Sequence, residues 1–208
     1  MTYEEIENLA QEVGLQILGV VDEDRQIILL GPSSGFWEFF SNAPENKDGH
    51  ADPVDRWSKR VIRGLAELLG CEAEFPFGGP PYAPFMSWAI ASGRAWSSRV
   101  GMLVHDQMGL MVSYRGALVL KEPISHPEPA QDSPCQSCIE QPCLTACPVG
   151  ALGAEGYNTD RCAAHLRTDA GADCMNGCLV RRSCPYSLGA ERKEAQSRLH
   201  MQAFLGNR

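Results

Sequence analysis

The stretch Cys135-Gln136-Ser137-Cys138-Ile139-Glu140-Gln141-Pro142-Cys143-Leu144-Thr145-Ala146-Cys147-Pro148 carries four cysteines in a single loop-length run. Four more follow at Cys162, Cys174, Cys178 and Cys184, the last again before a proline, so eight of the nine cysteines lie between Cys135 and Cys184. A short loop aims several thiolates at one metal centre only when they stand a few residues apart with the backbone wrapped around it. The run from Cys135 to Cys147 has that spacing, and each Cys-Pro step turns the chain away from the centre.

Working outward, the first 134 residues contain only Cys71, which reads as a small hydrophobe. The N-terminus, Met1-Thr2-Tyr3-Glu4-Glu5, has neither the basic region nor the apolar core of a signal peptide, and no apolar run approaches membrane-spanning length. The expectation is a cytoplasmic protein with no membrane partner. In a reducing cytosol a dense cysteine set points to metal or redox chemistry ahead of disulfides. Zinc is the competing metal, but it favours two separate Cys-x2-Cys pairs, and only Cys135 with Cys138 has that form. His165, three residues after Cys162, reads as a surface histidine or as support for a ligand, with zinc or Rieske-type iron ligation as the alternative. A formal net charge of -8 argues against nucleic acid as a partner.

The remaining pattern predicts an α+β domain. Thr2 and Glu5 form a capping-box signature before a helix over Tyr3 to Val13. Leu15 to Val21 and Ile27 to Leu30 read as a hairpin. After the Asp52-Pro53 start signal, Val54, Trp57, Val61, Leu65 and Leu68 form one apolar stripe up to Gly70. Between Glu74 and Phe85 the aromatics Phe75, Phe77, Tyr82 and Phe85 alternate with prolines and glycines, either walling a flat cofactor or plugging their own core. Val100 to His105, Leu110 to Tyr114 and Ala117 to Leu120 read as a meander of strands. The predicted division is a domain over 1–120, a Pro-rich linker over 121–134, a cysteine module over 135–185 and a closing helix within 186–208.

The cysteine run resembles that of two-cluster ferredoxins, where the fourth cysteine of the run serves the other cluster. That resemblance implies a crossed assignment of 4Fe-4S ligands: Cys135, Cys138, Cys143 and Cys184 for one cluster, and Cys147, Cys162, Cys174 and Cys178 for the other. Here the gap from Cys138 to Cys143 is wider than the usual spacing, which leaves room for one intact and one degenerate site.

Residues Cys135 to Pro185, with Val149-Gly150-Ala151-Leu152 and Asp160-Arg161-Cys162, resemble the ferredoxin module of epoxyqueuosine reductases and reductive dehalogenases. The N-terminal part resembles cytosolic cobalamin-processing proteins of the cobalamin C type, which have a nitroreductase- or flavin-reductase-like fold. The carrying residues are Ala51-Asp52-Pro53-Val54-Asp55, Val104-His105-Asp106-Gln107-Met108-Gly109, and Tyr114-Arg115-Gly116 leading into the strand to Leu120. Asp106 stands where that family has proline and Leu110 where it has glycine. These resemblances imply two 4Fe-4S clusters beside a cobalamin or related corrinoid, with His105 in the corrinoid pocket and FMN as the runner-up cofactor. The function they imply is an iron-sulfur oxidoreductase passing electrons to the corrinoid, which reduces or dealkylates it or acts on a small-molecule substrate. A ferredoxin-type electron carrier docking to a redox partner protein is the alternative, and tRNA modification a lesser one. Catalytic residues are not identified.

Overall fold

Helix α1, Tyr3–Gln11, starts where the capping box requires: the Glu5 N–H donates to Thr2 Oγ1 at 3.2 Å and the Thr2 N–H to the Glu5 carboxylate at 2.7 Å. This computed structural model describes residues 1–129 and 132–206. Strands β1, Leu15–Asp22, and β2, Gln26–Pro32, form the expected antiparallel hairpin. Next come α2, Phe36–Asn42, α3, Pro53–Leu69, β3, Glu72–Glu74, α4, Phe85–Ala91, β4, Ala95–Ser97, β5, Leu103–His105, and β6, Gly116–Val119. Beyond them lie α5, Pro134–Ser137, β7, Leu152–Gly153, β8, Gly156–Tyr157, α6, Thr159–Leu166, α7, Ala172–Met175, α8, Leu179–Ser183, and α9, Glu194–Gly206. The mixture of helices with short antiparallel strands is α+β. No helix among the described residues is long and apolar enough to cross a membrane.

The chain divides into two compact units: Met1–Arg94 with Ser113–Gln131, and Ala95–Val112 with Asp132–Arg208. Residues 95–112 therefore group with the cysteines, whereas the sequence pattern puts all of 1–120 in one domain.

In unit 1 the sheet runs β1-β2-β6-β3. All four residues of β6 are buried, because it lies between β2 and β3. Helix α3 ends on Gly70 in the left-handed conformation, as the stop signal requires. Its buried face differs from the predicted stripe: Ile62 and Ala66 turn inward with Val54, Trp57 and Leu65, while Leu68 is exposed. Asp52 does not cap the helix with its side chain, and Pro53 with its fixed φ starts it instead. Helix α2 has no signal in the linear pattern. It forms because Phe36 and Phe40 stack on each other at 5.4 Å and meet Trp57 edge-on at 5.1 and 6.2 Å.

The proline-rich aromatic loop divides its side chains. Phe75 and Phe85 are buried in unit 1, Phe85 opening α4, and Tyr82 is exposed. Residues 121–129 are strapped to the hairpin rather than hanging as a free linker. The Gln26 side chain donates to the Ile124 carbonyl at 3.0 Å and accepts the Ile124 N–H at 2.9 Å, and His126 Nε2 lies 2.9 Å from Asp22 Oδ2.

The expected three-stranded meander is not present. β4 pairs with β5 as a two-stranded ribbon, β6 belongs to the other sheet, and Leu110 to Tyr114 is irregular. The reason is local: Gly109 adopts φ +53, and the Met111 N–H turns back to the Met108 carbonyl, which ends the pairing.

Unit 2 is built mostly from short elements, with α9 its longest helix at 13 residues. Its interior is a cluster of Val100, Val104, Leu110, Leu152 and Val180 together with Cys143 and Cys184. Residues 95–112 thus supply part of the wall behind the cysteines. The closing helix α9 begins only at Glu194, because Pro185–Ala190 is a tight helical turn and Glu191 then reverses with φ +43.

Candidate metal centre

All nine cysteines are free thiols. Cys135 sits in the first turn of α5, its N–H donating to Ser133 Oγ and its carbonyl accepting from Arg99 Nη2 at 3.2 Å. Cys138 ends that helix, and Ser137 Oγ meets the Tyr186 hydroxyl at 2.9 Å. Within the Cys138–Cys143 gap, Gln141 takes a left-handed conformation, φ +47, ψ +48. Such a conformation costs a non-glycine residue about 1–2 kcal/mol. It is followed by the tight turn Pro142–Leu144 that buries Cys143.

Cys184 comes from the far end of the module but joins this loop. Its carbonyl accepts the Ser187 N–H at 2.9 Å, and Ser187 Oγ accepts the Leu110 N–H at 3.1 Å. Gly109 packs so tightly there that a Cβ would fall 2.6 Å from the Tyr186 carbonyl carbon. The turn after β5 is therefore the brace that holds the Cys184 segment.

Cys135, Cys138, Cys143 and Cys184 line one hollow, backed by Val104 and Leu110. Burial pushes the Cys143 thiol up, and charge on the nearby Cys135, Cys184 or Cys138 pushes it further the same way.

The other four form a second neighbourhood. Burial raises the Cys162 thiol, a hydrogen bond from the Tyr157 hydroxyl lowers it, and Cys178 and Cys147 raise it again. Cys174 is raised by burial and then by Cys178 and Cys147. Cys147 differs: burial opposes its ionisation, yet the backbone N–H groups of Leu152, Val149, Ala151 and Gly150 around the sulfur outweigh it and hold the thiol below its ordinary range. The Ala151 N–H donates to Cys147 Sγ at 3.1 Å. A sulfur ringed by backbone donors is a site prepared for negative charge.

Cys135, Cys138, Cys143 and Cys184 thus share one hollow, and Cys147, Cys162, Cys174 and Cys178 lie near one another. No group of three or more His, Cys, Asp or Glu among the described residues is gathered tightly enough for one metal ion.

His105 lies in unit 2, at the end of β5, and is 0% exposed. Its Nδ1 is 3.1 and 3.3 Å from the N–H groups of Gln107 and Met108 and 2.8 Å from Asp106 Oδ1. Unprotonated, Nδ1 accepts the two N–H bonds; protonated, it donates to Asp106. Either way this edge of the ring is engaged inside its own turn. Cys71 is half-buried before β3 with its thiol raised by burial, consistent with a small packing residue.

Arg99, Gly109, Tyr157 and Ser187 support the cysteine sets and have no signal in the sequence, since each acts through a partner that only the fold brings near. No protein-family model matches this chain, and no curated protein matches it.

Proposed function

We propose that the chain is a cytoplasmic iron-sulfur oxidoreductase whose unit 2 is a ferredoxin-like module for two 4Fe-4S clusters. Cys135, Cys138, Cys143 and Cys184 would hold one, and Cys147, Cys162, Cys174 and Cys178 the other. The observation that carries this reading is the hollow lined by Cys184 together with three cysteines more than forty residues earlier in the chain. When bound, such clusters supply one-electron transfer at a potential set by charge, hydrogen bonds to sulfur and solvent exposure. The protein's part is to fix the thiols, to donate backbone N–H bonds as at Cys147, and to keep water out with Val104, Leu110 and Val180.

The acceptor proposed for those electrons is a corrinoid, with FMN as runner-up, on the resemblance of unit 1 to nitroreductase-like cobalamin-processing proteins. The antiparallel four-stranded sheet with α1, α3 and α4 packed on it is compatible with that fold. A second reading, a carrier that hands electrons to a partner protein, is favoured by His105: a ring with no exposed surface, engaged in its own turn, supports the brace behind Cys184 rather than a cofactor contact.

Anaerobic reconstitution with iron and sulfide separates these readings. About eight iron and eight sulfide per chain are expected for two cubanes, and stoichiometric zinc with no sulfide uptake would sink the proposal. Titration of the reconstituted protein with cobalamin then decides the acceptor. A shift of the corrinoid spectrum to its base-off form supports the oxidoreductase, and an unchanged spectrum at excess cobalamin leaves the carrier.

A further inference from the structure

One buried polar atom beside the second cysteine set has no explanation in the fold. His165 Nε2 is shielded from solvent and has no hydrogen-bond partner. A buried ring nitrogen left unpaired is costly, and folded proteins retain few such atoms without a use for them. His165 stands one turn after Cys162 on α6, so the two side chains share a helix face. Cys162 on that face is close enough to Cys178 and Cys147 to feel their charge. Gly171 abuts the backbone of His165 and Leu166 so closely that no side chain fits between, which draws the start of α7, and with it Cys174, against the same end of α6.

From this geometry we infer that His165 is a positioning residue for the second cluster, donating its Nε2–H to a sulfur of the group held by Cys147, Cys162, Cys174 and Cys178. The inference rests on the proposed function, since it is that group which supplies the missing acceptor. An N–H aimed at sulfur stabilises the more negative, reduced state and so raises the reduction potential. The Ala151 N–H on Cys147 Sγ does the same from the backbone side, and Tyr157 from the hydroxyl side. His165 would add a side-chain donor to that set, one whose acceptor only the cluster supplies. It is not a ligand in this reading, because the four cysteines already complete the set.

The experiment uses the full chain, reconstituted anaerobically with iron and sulfide, and redox titration followed by electron paramagnetic resonance. His165→Phe keeps ring volume but removes the donor. His165→Gln restores an N–H. The expected result is unchanged iron content, one midpoint potential lowered in the Phe variant by about tenfold in the reduction equilibrium, ~59 mV for a one-electron couple, and the other potential unmoved. The Gln variant should recover much of the loss. Both potentials unchanged in the Phe variant, with full iron content, overturns the donor role and leaves the two-cluster reading standing. A wild-type chain that takes up no iron overturns both. If the Phe variant loses one cluster, the Gln variant decides: full iron at a potential near wild type supports the donor, and loss of the same cluster makes His165 a ligand and overturns it.

Discussion

Unit 1 and unit 2 are built on opposite plans. Unit 1 has nine basic and seventeen acidic residues and so carries the whole formal charge of -8; unit 2 has nine of each and is neutral. Unit 1 closes its own core around a four-stranded sheet and the Phe36, Phe40 and Trp57 cluster. Unit 2 has two separate two-stranded ribbons and mostly short helices, and one buried cluster of seven residues includes Cys143 and Cys184. In the proposed function, unit 2 would gain order from the clusters its thiols hold, as small metal-stapled domains do. In that reading its neutrality would suit the binding, because thiolate-bound clusters add negative charge and a neutral unit takes it up without reinforcing an existing excess.

The largest effect that would sharpen this contrast is in unit 1. Phe36→Ala removes a ring that is fully buried between Phe40 and Trp57, and a loss of about 3–5 kcal/mol is expected. Hydrogen exchange should show the sheet of unit 1 opening while amides around the cysteines keep their protection. Equal loss in both units would break the comparison.

Gly109→Ala strikes the brace of unit 2. The residue has φ +53 and faces the Tyr186–Ser187 backbone, so strain and clash together should cost about 2 kcal/mol or more. Denaturant unfolding read by tryptophan fluorescence at Trp96, which packs on that core, measures it. In the proposed function the same variant releases the iron held by Cys184 faster under chelator than the wild type does.

Gln141→Gly should do the reverse. Relieving the left-handed conformation in the Cys138–Cys143 loop is expected to stabilise unit 2 by about 1 kcal/mol, less the entropy that glycine adds to the unfolded chain. A lower melting temperature would show that the loop is unstrained.

The smallest effect is a pH dependence confined to unit 1. The Gln26 side chain first, and His126 second, hold Asp22 below its ordinary value of 3.8. Burial opposes protonation of His126, but its bond to Asp22 prevails and raises it above 6.5. Stability from the depressed aspartate is present above pH 3.8 and lost as pH falls through its folded value. Stability from the raised histidine is present below pH 6.5 and lost as pH rises through its folded value. The pair therefore contributes fully between those limits. Because Asp22 is largely exposed, the contribution is about a few tenths of a kcal/mol. His126→Ala should flatten the pH profile of unit 1 unfolding at the alkaline end and leave unit 2 unchanged.

How much of the fold is legible in the sequence follows the range of the interactions. The capping box at Thr2 and Glu5, the β1–β2 hairpin and the stop at Gly70 are legible because each depends on residues within one turn or one hairpin. The inward face of α3 is rotated from the apolar stripe, with Ile62 buried rather than Leu68, because the aromatic cluster that Trp57 joins belongs to a helix with no signal of its own. The meander pattern misleads for the same reason: β6 is claimed by β2 and β3 from far up the chain, while β4 and β5 pair locally.

The cysteine module shows both sides of that rule. Spacing and the two Cys-Pro steps are enough to mark eight thiols as a candidate metal set, because ligand identity and loop reach are local properties of the chain. Which sulfurs share a space is decided by packing at long range. Cys184 reaches Cys135, Cys138 and Cys143 only because Gly109 admits the Tyr186–Ser187 backbone and Ser187 bonds back to Leu110. The assignment of residues 95–112 to the cysteine unit, and the burial of His105 within it, follow from that contact and have no counterpart in the linear pattern.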